Sequence, residues 1–186
     1  ENQEMCKYTN ELVDKLNCRI VLLFQPAEET AKGALSVQND ERFNDIRPDY
    51  IFGFHNLPGF PLHTLILKEG NFASASIGMS VKLVGSTSHA GHPEDGNSPV
   101  LAMTNIIQAL LALPSLSTKL EHSANITIIH AKLGEIAFGT SPGYAEIMST
   151  LRAYRNEDMQ NLIDRSEEIV RGIAKTYNLD SEISWQ

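Results

Sequence analysis

The sequence predicts an α/β chain in two parts: a portion of a parallel sheet with crossover helices over residues 1–69, and an α+β, ferredoxin-like βαββαβ sandwich over residues 70–186. Three observations predict it. Two apolar runs with little polar alternation, at 19–24 and 49–55, flank a helical stretch, which is the order of a parallel crossover unit. After Gly70 the pattern switches to alternation, with Ile77, Met79, Val81 and Leu83 on one face and Ser76, Gly78, Ser80 and Lys82 on the other. Two stretches of helical periodicity then separate further strand-like segments.

Taken in order, Met5, Thr9, Leu12, Val13 and Leu16 recur at helical spacing and predict a helix over 3–16. Strand 19–24 follows, then a helix from about 27 to 37, strand 49–55 ending on His55, and a short strand at 63–67 after Pro58, Gly59 and Pro61. In the second part, the strand through residue 83 leads into a polar loop at 85–97. A helix is expected at 98–113, with Asn97 or Ser98 as its cap and Pro99 in its first turn. Strands at 124–133 and 144–155, a helix at 157–177 and a last strand around Ile183 and Trp185 complete the order. The 98–113 helix is apolar nearly all round and needs cover on more than one side. The sheet supplies one cover, and either a partner subunit or the first domain supplies the other.

Composition narrows the function classes. The net charge of -8 splits evenly, seven Lys/Arg against eleven Asp/Glu before residue 71 and eight against twelve after it, so neither half carries a nucleic-acid footprint. Cys6 and Cys18 form neither a disulfide framework nor a Cys-x-x-Cys knuckle, and a reducing, cytoplasmic compartment is expected. No apolar run reads as membrane-spanning in length. The opening Glu1-Asn2-Gln3-Glu4 resembles the interior of a helix, so the chain is expected to be a segment of a longer protein.

Two constellations carry chemistry. In Gln25-Pro-Ala-Glu28-Glu29-Thr30 an apolar run stops at a proline and presents adjacent carboxylates, where ligands sit in parallel sheets. A plain helix start explains the same residues, because proline and early acids both suit a first turn. His55, ending a strand on the same expected sheet edge, adds a second ligand type that a metal such as zinc accepts. Adjacent glutamates can divide labour, one on the metal and one on the proton of its water. The second constellation is the loop Ser86-Thr-Ser-His89-Ala-Gly-His92, read either as a surface loop before a helix cap or as the carrier of a histidine that donates to an oxyanion. His63, His122 and His130 lack a constellation and read as structural. Arg152 faces away from Ile147, Leu151 and Ala153, and is either a cross-strand partner of Glu146 or another acid, or a contact for a substrate carboxylate.

Four motifs, Phe-Gln-Pro-Ala-Glu-Glu at 24–29, Phe-Gly-Phe-His-Asn at 52–56, Ser-His-Ala-Gly-His-Pro-Glu-Asp-Gly-Asn-Ser-Pro at 88–99 and Leu-Arg-Ala-Tyr at 151–154, keep their order across nearly the whole chain. In these the sequence resembles the zinc amidohydrolases and metallopeptidases typified by hippurate hydrolase, N-acyl-amino-acid amidohydrolase and the auxin-conjugate hydrolases. The resemblance implies a catalytic domain holding two zinc ions, into which the ferredoxin-like lid and dimerisation domain is inserted. It implies hydrolysis of the amide of an N-acyl amino acid or small peptide by a homodimer. Glu28 would be the general base, Glu29 and His55 metal ligands, and His89 the lid histidine that steadies the oxyanion in the other subunit's site. Arg152 would contact the substrate carboxylate.

The chain departs from that pattern in three places. A Cys-Gly-His-Asp type motif with further ligands does not precede these residues, a final histidine ligand does not follow them, and Gly139-Thr-Ser-Pro142 stands where many relatives have an asparagine. The resulting expectation is the central segment of a longer hydrolase, inactive and poor at binding metal on its own. The rival is a catalytically inactive dimerisation or small-molecule binding module.

Overall fold

The computed structural model describes residues 13, 18–27, 32–53 and 55–186. The chain divides into two compact units, Glu1–Thr64 and Leu65–Gln186.

In the first unit the described secondary structure is two short helices, α1 (Lys32–Gln38) and α2 (Phe43–Ile46). The first overlaps the helix expected near 27–37 and runs one residue past it, and the helix expected at 3–16 lies almost wholly outside the described residues. The strands expected at 19–24, 49–55 and 63–67 do not form among the described residues, and neither does the parallel sheet they were to build. The physical reason is exposure: Ile51 and Phe52 are 73% and 80% accessible. An unalternating apolar strand is stable only with strands beside it and helices on both faces, and the described residues supply neither. Local ties remain, among them Arg19 donating to the Asp45 carbonyl at 3.0 Å.

The second unit is the sandwich. Its strands are β1 (Ala75–Val84), β2 (Ser88–His89), β3 (Ala124–Leu133), β4 (Thr140–Ser141), β5 (Tyr144–Ala153) and β6 (Asp180–Trp185), with helices α3 (Val100–Ser117) and α4 (Asn156–Thr176). The main sheet is antiparallel in the order β3-β5-β1-β6, and β2 pairs with β4 as a separate ribbon. With the ribbon set aside, this is the βαββαβ order expected from the sequence.

The alternation seen in the sequence becomes the pleat. Met79, Val81 and Leu83 of β1 and Ala145, Ile147, Leu151 and Ala153 of β5 point inward, because successive residues of a strand face opposite sides. Ala102, Ile106 and Leu110 of α3 and Leu162, Val170 and Ala174 of α4 complete one core. Leu151, near the C-terminal end of β5, is fully buried. Leu151→Ala is expected to cost about 2–5 kcal/mol in chemical denaturation, from lost transfer free energy plus the cavity left behind.

Two expectations about α3 are corrected. Its N-cap is Pro99 with no side-chain cap bond, and Asn97 instead donates to the carbonyls of Tyr177 and Asn178. The helix also continues past 113 to Ser117, through Pro114. At 18 residues it is, by length and composition, apolar enough to cross a membrane, contrary to the sequence reading. Ala102, Ile106 and Leu110 nevertheless lie in the sandwich core. Its other side keeps Leu101, Leu111 and Leu116 exposed.

Candidate active site

The loop that carries His89 is fastened at several points. Ser86 and Asn97 exchange backbone hydrogen bonds at 3.1 and 2.9 Å and close the loop at its base. The Gly85 N–H donates to the Gly143 carbonyl at 2.8 Å, and β2 pairs Ser88 with Ser141 and His89 with Thr140. Ala90 N–H donates to the Gly139 carbonyl at 2.9 Å. Glycine is required at 143, where an added Cβ would lie 2.6 Å from the Ser86 carbonyl carbon and the Thr87 nitrogen.

The imidazole itself is oriented by the chain. Gly91 N–H donates to Nδ1 of His89 at 3.0 Å. A neutral histidine that accepts at Nδ1 carries its proton on Nε2, so the exposed His89 presents an outward N–H donor. The His92 ring lies 5.9 Å away, tilted by 44°, with its own Nδ1 3.6 Å from Glu94.

Arg152 is exposed on the open face of β5, between Ser76 of β1 and Asn125 of β3. The pairing with Glu146 does not form, because Glu146 sits opposite Lys82 and Lys132, six residues along the same strand. Among the described residues no acid reaches the Arg152 guanidinium. The structure does not bring Arg152 and His89 together. Ser88 is tied to Ser141 beside the start of β5, whereas Arg152 lies eight residues farther on, about 27 Å at roughly 3.4 Å per residue.

In the first unit, Glu28 and Glu29 lie outside the described residues. The turn leading to them is tight: Ala27 is left-handed at φ 54, and a Cβ on the buried Gly33 would meet the Pro26 carbonyl oxygen at 1.6 Å. His55 is exposed, with Nδ1 2.9 Å from its neighbour's carbonyl, that of Asn56. A carbonyl only accepts, so Nδ1 holds the proton and the Nε2 lone pair is free, the arrangement usual for a metal-ligating histidine. Among the described residues no group of three His, Cys, Asp or Glu side chains is placed to hold a metal ion.

Sequence reasoning missed two features. It could not find the Gly91 and Asn97 contacts, because the first depends on the backbone turn taken after His89 and the second on packing against residues eighty positions away. His122, read as structural, packs against residues more than thirty positions away: its Nε2 accepts from Arg155 at 2.7 Å and its Nδ1 lies 3.1 Å from Asp158. It lines a cavity of about 370 Å³ with Lys68, Asn71 and Tyr154. Arg155 there is shared between His122 and Glu157, and the Lys68 ammonium lies over the Tyr154 ring, so both cations of the cavity are engaged.

Residues 72–178 match the family model described as the peptidase dimerisation domain. The chain belongs to the M20 peptidase dimerisation-domain family. Hippurate hydrolase of Campylobacter jejuni is 31% identical over 90% of the chain and 44% of its own length. N-acetyldiaminopimelate deacetylase of Bacillus cytotoxicus is 30% identical over 92% and 46%. Among solved structures, a dinuclear metal-binding peptidase of the M20 family from Bacillus subtilis superposes with a TM-score of 0.64 at 26% identity, over 87% of this chain and 39% of that one. The chain therefore spans less than half the length of these M20 relatives.

Proposed function

We propose that this chain is the central segment of a metal-dependent amidohydrolase that cleaves the amide bond of N-acyl amino acids or small peptides as a homodimer. The observation that carries the reading is His89: an exposed imidazole, held as the Nε2–H tautomer by the chain's own backbone, on a domain of the M20 family. Such a donor suits a tetrahedral oxyanion, and hydrogen bonds aimed at developing charge are strong catalytic devices. The names of the relatives, hippurate hydrolase and acetyl-amino-acid deacetylases, support amide hydrolysis and an acyl amino acid as substrate.

In this mechanism Glu28 takes a proton from the attacking water and passes it to the leaving amine. His89 donates to the carbonyl oxygen as charge develops there, and Arg152 pairs with the substrate carboxylate. Glu29 and His55 would hold the metal, and the free Nε2 of His55 fits that role. Two zinc ions, or similar divalent ions, supply Lewis acidity and a water of lowered pKa when bound. Further ligands come from outside this chain, which alone is inactive. The even acidic charge and the spacing of the two cysteines support a cytoplasmic protein that engages neither nucleic acid nor membrane.

The separation of His89 from Arg152 supports one further element. About 27 Å along the sheet exceeds the length of an acyl amino acid, so one lid cannot place both groups on one substrate. A site using both takes His89 from one subunit and Arg152 from the other.

The test is Glu28→Gln in the complete enzyme. Turnover is expected to vanish while metal content, measured by atomic emission, stays near wild type. Loss of metal with activity would instead exchange the roles of Glu28 and Glu29.

A further inference from the structure

We propose that Asn97 is a positioning residue for His89, fixing the base of the His89 loop to the C-terminal end of α4; this rests on the reading of His89 as an oxyanion donor. The loop enters at Ser86 and leaves at Asn97, and these two residues bond to each other in both directions. That bridge closes the loop but does not fix it to the sandwich. The Asn97 side chain ties the loop base to α4, in addition to the bond from Gly85 to Gly143 and the pairing of β2 with β4. Its Nδ2 donates to the Tyr177 carbonyl at 3.1 Å and to the Asn178 carbonyl at 2.8 Å.

The acceptors are the carbonyls of Tyr177, the C-cap of α4, and of Asn178 just past it, where a helix end leaves carbonyls without partners inside the helix. Asn178 is left-handed at φ 54, the conformation in which helices commonly end. Satisfying two backbone carbonyls from one short side chain needs two N–H donors on one atom. Asparagine provides them, aspartate presents oxygens to oxygens, and alanine provides nothing.

The packing transmits this anchor to His89. A Cβ at Gly85 would lie 2.0 Å from the Asn97 carbonyl oxygen, and one at Gly96 would lie 2.8 Å from the Ser86 oxygen and 2.9 Å from the Ser88 side chain. The loop base is therefore closely packed, and Ser88 precedes His89 directly. A shift of Asn97 displaces Ser86 and Ser88, and with them the His89 ring and its bond from Gly91.

The experiment compares wild type, Asn97→Ala and Gly96→Ala. In the 186-residue chain, ¹⁵N-detected NMR of the imidazole and amide hydrogen exchange are measured. The expected result is loss of the single Nε2–H tautomer at His89 and faster exchange at Gly91 and Asn97, while the amides of β1 and β5 keep their protection. In the complete enzyme, either variant is expected to lower kcat about ten- to a hundredfold with KM nearly unchanged, the scale of a small misplacement of a reacting group. In a His89→Ala background the same changes should cost nothing more. An unchanged tautomer in both variants, or an equal loss of kcat whether or not His89 is present, overturns the proposal. Full activity of His89→Ala alone overturns the role of His89, and the NMR result still decides whether Asn97 positions it.

Discussion

His89→Ala in the complete enzyme is expected to lower kcat by about 10²–10³-fold, the range for removing one oxyanion donor, with a much smaller change in KM. The asymmetry follows from the timing of the charge. A substrate carbonyl is a weak acceptor, whereas the tetrahedral oxyanion is a strong one, so the bond strengthens mainly in the transition state. Steady-state kinetics on an N-acyl amino acid would check it. His89→Gln, which keeps an N–H donor on a different reach, should recover part of the loss. A rise in KM with kcat unchanged would make His89 a binding residue, because it would mean that substrate and transition state lose the contact equally.

The second large effect concerns the subunit interface. On α3, Leu101, Leu111 and Leu116 face outward, and β3, at the edge of the sheet, exposes Ile129 at its bulge. The connection from β3 to β4 leaves Ile136 and Phe138 fully accessible. The match to a peptidase dimerisation domain, together with an apolar helix covered on one side only, makes this surface the expected contact with a second copy. Sheet edges are also natural sites for strand pairing. Leu111→Glu combined with Ile129→Glu is expected to convert a dimer into a monomer in sedimentation, since each carboxylate would be buried without a partner while the apolar contribution, about 1.5–3 kcal/mol per side chain, is lost. Activity should fall with the dimer, because Gly139 beside Phe138 holds Ala90, next to His89. Mixing inactive Glu28→Gln and His89→Ala proteins should restore activity as subunits exchange, since one of the two sites then holds both intact residues. A stable, fully active monomer would remove both the interface and the transfer of His89 between subunits.

The sandwich was legible because its signals are local. Alternation from Ile77 to Leu83 and the stripe from Met159 to Ala174 depend on which face is buried, and the core buries those faces. The first part was not, for a physical reason. Ile20–Phe24 and Ile51–Phe52 carry the pattern of strands covered on both sides, but a pattern does not supply the cover, and most of these side chains stay exposed. His89 and Arg152 were readable from motif and face, but their placement at opposite ends of the sheet was not, since it follows from the pairing of β2 with β4 beyond the start of β5. Asn97 shows the opposite case. Its place before Pro99 suggested a helix cap, and tertiary contact with α4 turned its amide elsewhere.

Metal-dependent amide hydrolysis is the proposed work of the complete protein. Its most direct test is release of free amino acid from a panel of N-acyl amino acids by the complete polypeptide, before and after removal of divalent metal with a chelator. Turnover of at least one acyl amino acid is expected, lost on chelation and restored by zinc or a similar divalent ion. A folded, metal-replete dimer that hydrolyses none of them, nor small peptides, would contradict it and leave a dimerisation module.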